Sequence, residues 1–174
     1  MTRPTSPNPT CRLTEANIDA FVALNNGAAP DILPLDADRF RQLLGFGGIS
    51  AGIRSHDRLV AAALWFDETT RDYDSPNYRW FLDRFDRFTY VDRIIVAPEL
   101  RGRGLGHRIY HYVFAEAAAA GSPVVACEVY ERPPNPASRA FHEQLGFTII
   151  GRQTLDGGNR EAAMMVRPLV IPVA

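Results

Sequence analysis

Val96-Ala97-Pro98-Glu99-Leu100-Arg101-Gly102-Arg103-Gly104-Leu105-Gly106 is the stretch on which the fold turns. An apolar run ends at Val96, a glycine-rich loop follows, and a helical pattern begins at Leu105. The first N–H groups of a helix have no partner within it and carry partial positive charge. Gly102, Gly104 and Gly106 let the backbone come close to a ligand, and Arg101 and Arg103 add charge-assisted donors. Together these features suit a pyrophosphate. A P-loop is excluded because Gly-Lys-Ser/Thr is missing, and a dinucleotide fingerprint because His107 stands where the third glycine is needed.

Elements can be placed on both sides of this loop. Phe88 to Val96 reads as a strand and Leu105 to Ala120 as a helix, with Leu105, Ile109, Tyr112 and Val113 on one side and Gly121 as its stop. Pro123 to Tyr130 is a buried strand. Asn135-Pro136 opens a helix as N-cap and first residue, and Gly146 ends it. Phe147 to Leu155 and Arg160 to Val166 form a hairpin across Asp156-Gly157-Gly158-Asn159. Upstream, strands are predicted near Cys11 to Leu13, Ile49 to Ser55 and Leu59 to Phe66, with a turn at His56-Asp57. Thr14 and Asp36 are positioned to cap helices that run to about Leu24 and Gly45, and Ser75-Pro76 to open a third. Such an order implies an α/β sheet with helices against its faces. Residues 1–9, rich in Pro, are expected to be a flexible tail, and residues 10–174 a single domain.

Composition narrows the chemistry. The 174 residues are 46% hydrophobic, which suits a globular chain that folds without disulfide or metal. Nineteen basic residues balance twenty acidic ones, so no nucleic-acid or membrane partner is expected. All nineteen are Arg, which excludes a lysine Schiff base and a phosphate-gripping lysine. Cys11 and Cys127 lie far apart in a chain with no signal-like start, so reduced thiols and a cytoplasmic location are expected. His107 and His111 lack a third ligand nearby, and no metal site is expected.

The loop Arg101-Gly102-Arg103-Gly104-Leu105-Gly106 resembles the R/Q-x-x-G-x-G/A loop of the GNAT superfamily of N-acetyltransferases. Asn135-Pro136-Ala137-Ser138-Arg139-Ala140-Phe141-His142-Glu143-Gln144-Leu145-Gly146-Phe147 resembles that family's N-x-x-A-x-x-F-Y-x-x-x-G-F segment. The likeness is good over residues 88–155 and elsewhere extends only to element order. It implies an α/β (α+β) fold: a mixed, mostly antiparallel sheet of about seven strands, splayed between the fourth and fifth, with about four helices. It also implies acetyl-CoA as cofactor, lying in that split, an amine as acceptor, and a possible homodimer.

Roles follow from the resemblance. Backbone amides from Arg101, Gly102, Arg103, Gly104, Leu105 and Gly106 would hold the pyrophosphate of CoA. The backbone at Ile94, Ile95 and Val96 would pair with the pantetheine arm, and the Val96 N–H would polarise the thioester oxygen. Asn135 would contact the same arm while also capping its helix. Many relatives carry a Tyr that protonates the leaving thiolate; His142 stands in that place, with Ser138 one turn earlier to orient it. Tyr130 is the rival donor. Relatives often carry a carboxylate on the fourth strand as general base. Asp92 matches it, on one face with Tyr90, Ile94 and Val96. Glu128 on the neighbouring strand is the alternative base.

Nine of the eighteen aromatic residues fall between Trp65 and Tyr90. That segment could be a lid over the acceptor, with Asp74 suiting a cationic amine and Tyr73 or Trp80 facing it. A satellite core or a dimer interface would use the same residues. Asn25 is a further candidate acceptor contact from the family layout. The leading expectation is an acetyl-CoA-dependent N-acetyltransferase acting on a small-molecule amine by direct attack. A non-catalytic CoA-binding sensor, or an acyltransferase using another acyl-CoA, is the alternative.

Overall fold

The computed structural model describes residues 9–170. The tail expected over residues 1–9 therefore lies, Pro9 aside, outside the described residues. Seven strands form one sheet: β1 (Cys11–Arg12), β2 (Ile49–Ser55), β3 (Arg58–Asp67), β4 (Thr89–Val96), β5 (Val124–Arg132), β6 (Thr148–Leu155) and β7 (Arg160–Pro168). Five α-helices accompany them: α1 (Ile18–Asn26), α2 (Ala37–Gly45), α3 (Pro76–Leu82), α4 (Leu105–Ala119) and α5 (Pro136–Gln144). The strand order is β1-β2-β3-β4-β5-β7-β6. β5–β7, β6–β7, β1–β2 and β2–β3 are antiparallel, and β4–β5 is parallel. Among the described residues the β4–β5 ladder consists of two pairs, Thr89↔Val125 and Tyr90↔Ala126.

The chain divides into two compact units. The first holds the residues up to Trp65 together with Arg93–Val113. Its core is built on β3, whose apolar run from Leu59 to Trp65 is buried throughout, as a strand covered on both faces requires. Phe21 of α1 stacks on Phe40 of α2 with ring centroids 4.0 Å apart. The Asp36 carboxylate accepts from the Arg39 N–H at 2.7 Å, which explains where α2 starts. A Cβ on Gly52 of β2 would lie 2.5 Å from Leu59 Cδ1 and 3.1 Å from the Ala61 carbonyl oxygen, so any side chain there would force its neighbours to shift.

The second unit holds Phe66–Asp92 and the chain from Phe114 onward. Ser75 caps α3 by accepting from the Tyr78 N–H, with Pro76 at the first helical position. Phe66, Tyr73, Tyr78, Phe81, Phe88 and Tyr90 are all buried and touch ring to ring. The aromatic segment is thus mainly a core, because the rings of Phe66 on β3, Tyr73 before α3, Tyr78 and Phe81 on α3, and Phe88 and Tyr90 at the start of β4 are buried against one another. Asn135 caps α5 by accepting from the Ser138 N–H at 3.0 Å. Gly121 and Gly146 close α4 and α5 in left-handed conformations, with φ of 74° and 85°. Guanidinium groups make ion pairs in both units; Glu131, for example, is gripped by Arg139 at 2.6 Å and Arg152 at 2.7 Å.

Candidate active site

In the first unit, β4 ends at Val96 and a short 3-10 turn (Pro98–Leu100) leads into the exposed loop before α4. Gly102 and Gly104 have φ of 74° and 78°, a region that L side chains disfavour. A Cβ built on either would meet no atom within 4 Å, so the bare backbone faces open space. The first α4 amides, at Leu105 and Gly106, follow directly. Arg101 pairs with Asp31 at 2.8 Å, and Arg103 is exposed. These residues fit a CoA pyrophosphate: close backbone approach, helix-start amides and two guanidinium groups.

Along β4, Asp92, Ile94 and Val96 share a half-buried face, while Ile95 lies in the core. Arg93, on the other face, donates to Asn25 Oδ1 and to the Leu33 carbonyl, each at 2.8 Å. Asn25 is fully buried and its own amide donates to the Leu33 carbonyl at 3.0 Å. The structure therefore places Asn25 as a tie for the loop after α1.

The second unit gathers most of the predicted polar residues. The Tyr73 hydroxyl donates to Asp92, and the Tyr90 hydroxyl donates to Glu128 Oε2 at 2.7 Å. Burial and the Asp92 charge push the half-buried Glu128 carboxyl up to about 7, against the hydrogen bonds from Tyr90 and Asn77. Burial, followed by the neighbouring carboxylates, raises Tyr73 and Tyr90, so both remain proton donors at neutral pH. Tyr130 is raised by burial as well, and Arg160 donates to its hydroxyl at 3.2 Å. Gln153 of β6 donates to Asn77 Oδ1 at 3.1 Å.

Neither Asn77 nor Gln153 was singled out from the sequence. A signal for Asn77 existed: it lies four residues before Phe81, a polar residue on an apolar helix face. Asp74 is exposed. Trp80 lies against β6, where a Cβ on Gly151 would fall 2.6 Å from its Cζ2, and the Arg84 guanidinium stacks on its ring at 3.8 Å.

His142 is 3% exposed. Its ring meets Phe141 and Phe147 edge-on, at 5.2 and 5.4 Å between centroids. Nδ1 lies 2.7 Å from the Ser138 carbonyl, a distance that assigns the proton to Nδ1. Ser138 Oγ is 3.4 Å from the same nitrogen. Burial pulls the imidazole pKa down, so the ring is neutral at pH 7.

A mixed sheet whose fourth strand runs into a glycine loop and a helix start is thus in place. The profile of the acetyltransferase (GNAT) family matches residues 42–147, and the chain belongs to that family. Acetyl-CoA is the family's cofactor. Among solved structures, the ribosomal-protein-S18-alanine N-acetyltransferase from Escherichia coli superposes with a TM-score of 0.71 at 18% identity, covering 97% of this chain and 96% of its own. A phosphinothricin acetyltransferase of the GNAT superfamily from Sinorhizobium meliloti, in complex with acetyl-CoA, gives 0.67 at 18% identity over 95% and 89%. Naa20 from Chaetomium thermophilum, in complex with a bisubstrate analogue, gives 0.72 at 17% identity over 93% and 87%. At these identities the likeness concerns the fold. Among the described residues no helix is long and apolar enough to cross a membrane.

Proposed function

We propose that this chain transfers the acetyl group of acetyl-CoA to the amine of a small molecule by direct attack. The observation that carries the reading is Glu128: a half-buried carboxyl, held by Tyr90 and poised near neutral pH. Such a group can take a proton from an ammonium ion at working pH. Asp92, fixed by Tyr73, supports it by disfavouring a second negative charge, and the two carboxylates suit a cationic acceptor. The loop from Arg101 to Gly106 binds the pyrophosphate, and the backbone of Ile94, Ile95 and Val96 aligns the pantetheine arm. Asn135 and Ser138, which open α5, contact the same arm in this reading.

Bound acetyl-CoA supplies the activated thioester carbonyl. The acceptor nitrogen would form its bond to that carbon as the carbon–sulfur bond breaks; Glu128 would take the first of the two protons the ammonium loses, and the second, shed as the amide forms, would reprotonate Tyr130. The thiolate takes a proton from Tyr130, whose raised pKa keeps its hydroxyl intact. We prefer Tyr130 to His142, because the neutral His142 ring directs its one proton to the Ser138 carbonyl. The cytoplasmic location and the homodimer belong to the same proposal.

The test is thiol release from acetyl-CoA across a panel of small amines and alanine-ended peptides. Turnover with a small amine, lost by about 100-fold or more in Glu128→Gln, is the expected result. Turnover with peptides alone would overturn the small-molecule acceptor. Tight acetyl-CoA binding without any turnover would favour a cofactor sensor.

A further inference from the structure

We propose that Arg160 is a positioning residue for acetyl transfer: anchored by Asp156 in the β6–β7 turn, its guanidinium donates to the Tyr130 hydroxyl and turns that hydroxyl's proton toward the leaving thiolate. This rests on the reading of Tyr130 as the thiolate's proton donor.

The hairpin sequence sets Arg160 in place. Asp156 has φ of 51°, Gly157 63° and Gly158 101°, so the turn runs through left-handed backbone that Gly adopts freely and Asp tolerates. That path brings the Asp156 carboxylate onto Arg160 Nε at 2.5 Å. On β5, Tyr130 pairs with Ala162 of β7. Arg160 stands two residues before Ala162 on the same face, a diagonal neighbour within reach of a long side chain. Its Nη1 donates to the Tyr130 oxygen at 3.2 Å, and its Cζ lies 5.2 Å from the centre of the Tyr130 ring. One guanidinium thus spans the turn carboxylate and the phenol. The Arg160 side chain is only 31% exposed, so water screens these contacts less than it does an ordinary surface pair.

A phenol oxygen that accepts a hydrogen bond on one side directs its O–H to the other. Arg offers no acceptor, so Tyr130 cannot pass its proton to this neighbour. When the Tyr130 O–H bond breaks and the S–H bond forms, the oxygen keeps the electron pair and a negative charge until the second proton of the acceptor arrives. The charged groups around Tyr130 are Glu128, two residues before it on the same face of β5, Asp156 in the turn and Arg160 on β7. Of these three, Arg160 alone favours the tyrosinate, through its charge and a charge-assisted hydrogen bond.

The experiment uses the full chain carrying Arg160→Ala, Arg160→Lys, Tyr130→Phe, or Arg160→Ala with Tyr130→Phe. The first readout needs neither cofactor nor acceptor: fluorine-19 titration of chains labelled with 3-fluorotyrosine, whose phenol ionises at lower pH than that of tyrosine. The Tyr130 resonance is the one missing from Tyr130→Phe. In Arg160→Ala its midpoint should rise by about one pH unit, whereas Arg160→Lys, which keeps a cation, should hold it within about half a unit. The second readout is thiol release with the fastest amine of the panel. In Arg160→Ala kcat should fall about tenfold, with KM for acetyl-CoA within about twofold. On the Tyr130→Phe background the same substitution should change kcat by less than about twofold, because the two residues act as one unit. Arg160→Gln carries both readouts if Arg160→Ala does not fold. An unmoved Tyr130 midpoint, or an equal loss of kcat on both backgrounds, makes Arg160 merely structural and overturns its role alone. Parental kcat in Tyr130→Phe overturns the reading of Tyr130 as the acid and, with it, this role.

Discussion

Glu128 illustrates how burial and one neighbouring charge adapt an ordinary carboxyl to neutral pH. Its folded-state pKa is about 7, above the unfolded carboxylate value. Between roughly pH 4.5 and 7 the native state therefore holds a proton that the unfolded chain has released. Stability from this group is complete below that window and falls as pH rises through it. Glu128→Gln should accordingly melt a few degrees higher than the parent at pH 8 and differ little from it at pH 4.5, as read by thermal denaturation. Wild-type kcat/KM should rise with pH along an acid limb near 7 that the variant lacks. Asp92→Asn should lower turnover while leaving acetyl-CoA affinity, read by calorimetry, nearly unchanged. For His142, type and spacing indicated a place beside Ser138, but the ring's burial and its proton's direction depend on Phe147 and on helix geometry that no local pattern encodes.

At the scale of elements, local chemistry was readable wherever a cap or stop had a short-range cause. Asp36, Ser75 and Asn135 cap helices as predicted, because each side chain needs only its own first turn. Thr14 instead opens a 3-10 turn, and α1 starts at Ile18. The contact of Asn77 with Gln153 joins residues 76 apart, and nothing local announces it. The seat of Trp80 on Gly151 is hidden for the same reason. Gly151→Ala should destabilise the fold by about 1–3 kcal/mol in chemical denaturation, since the indole has to move to admit a Cβ. Asn135→Ala should cost about 1 kcal/mol through the lost α5 cap.

For the molecule as a whole, the glycine loop and the Asn135 segment carried the family, and the family carried the sheet. Strand order was accessible only through that likeness, because the placement of β7 between β5 and β6 is a tertiary outcome. Calorimetry with acetyl-CoA, using NAD and ATP as controls, should show tight binding to acetyl-CoA alone. Gly104→Trp should abolish that binding with the circular dichroism spectrum intact, because its side chain would occupy the open space before the loop.

The use of guanidinium groups in these ion pairs, in a chain without lysine, has a further consequence. A chain with no lysine carries no ε-amine that its own activated thioester could label. Guanidinium groups stay protonated, and so non-nucleophilic, across the working pH range. Prolonged incubation with acetyl-CoA should leave the enzyme's cationic side chains unmodified. Isotope-labelled acetyl can then be followed to the acceptor by mass spectrometry without a background of acetylated enzyme lysines.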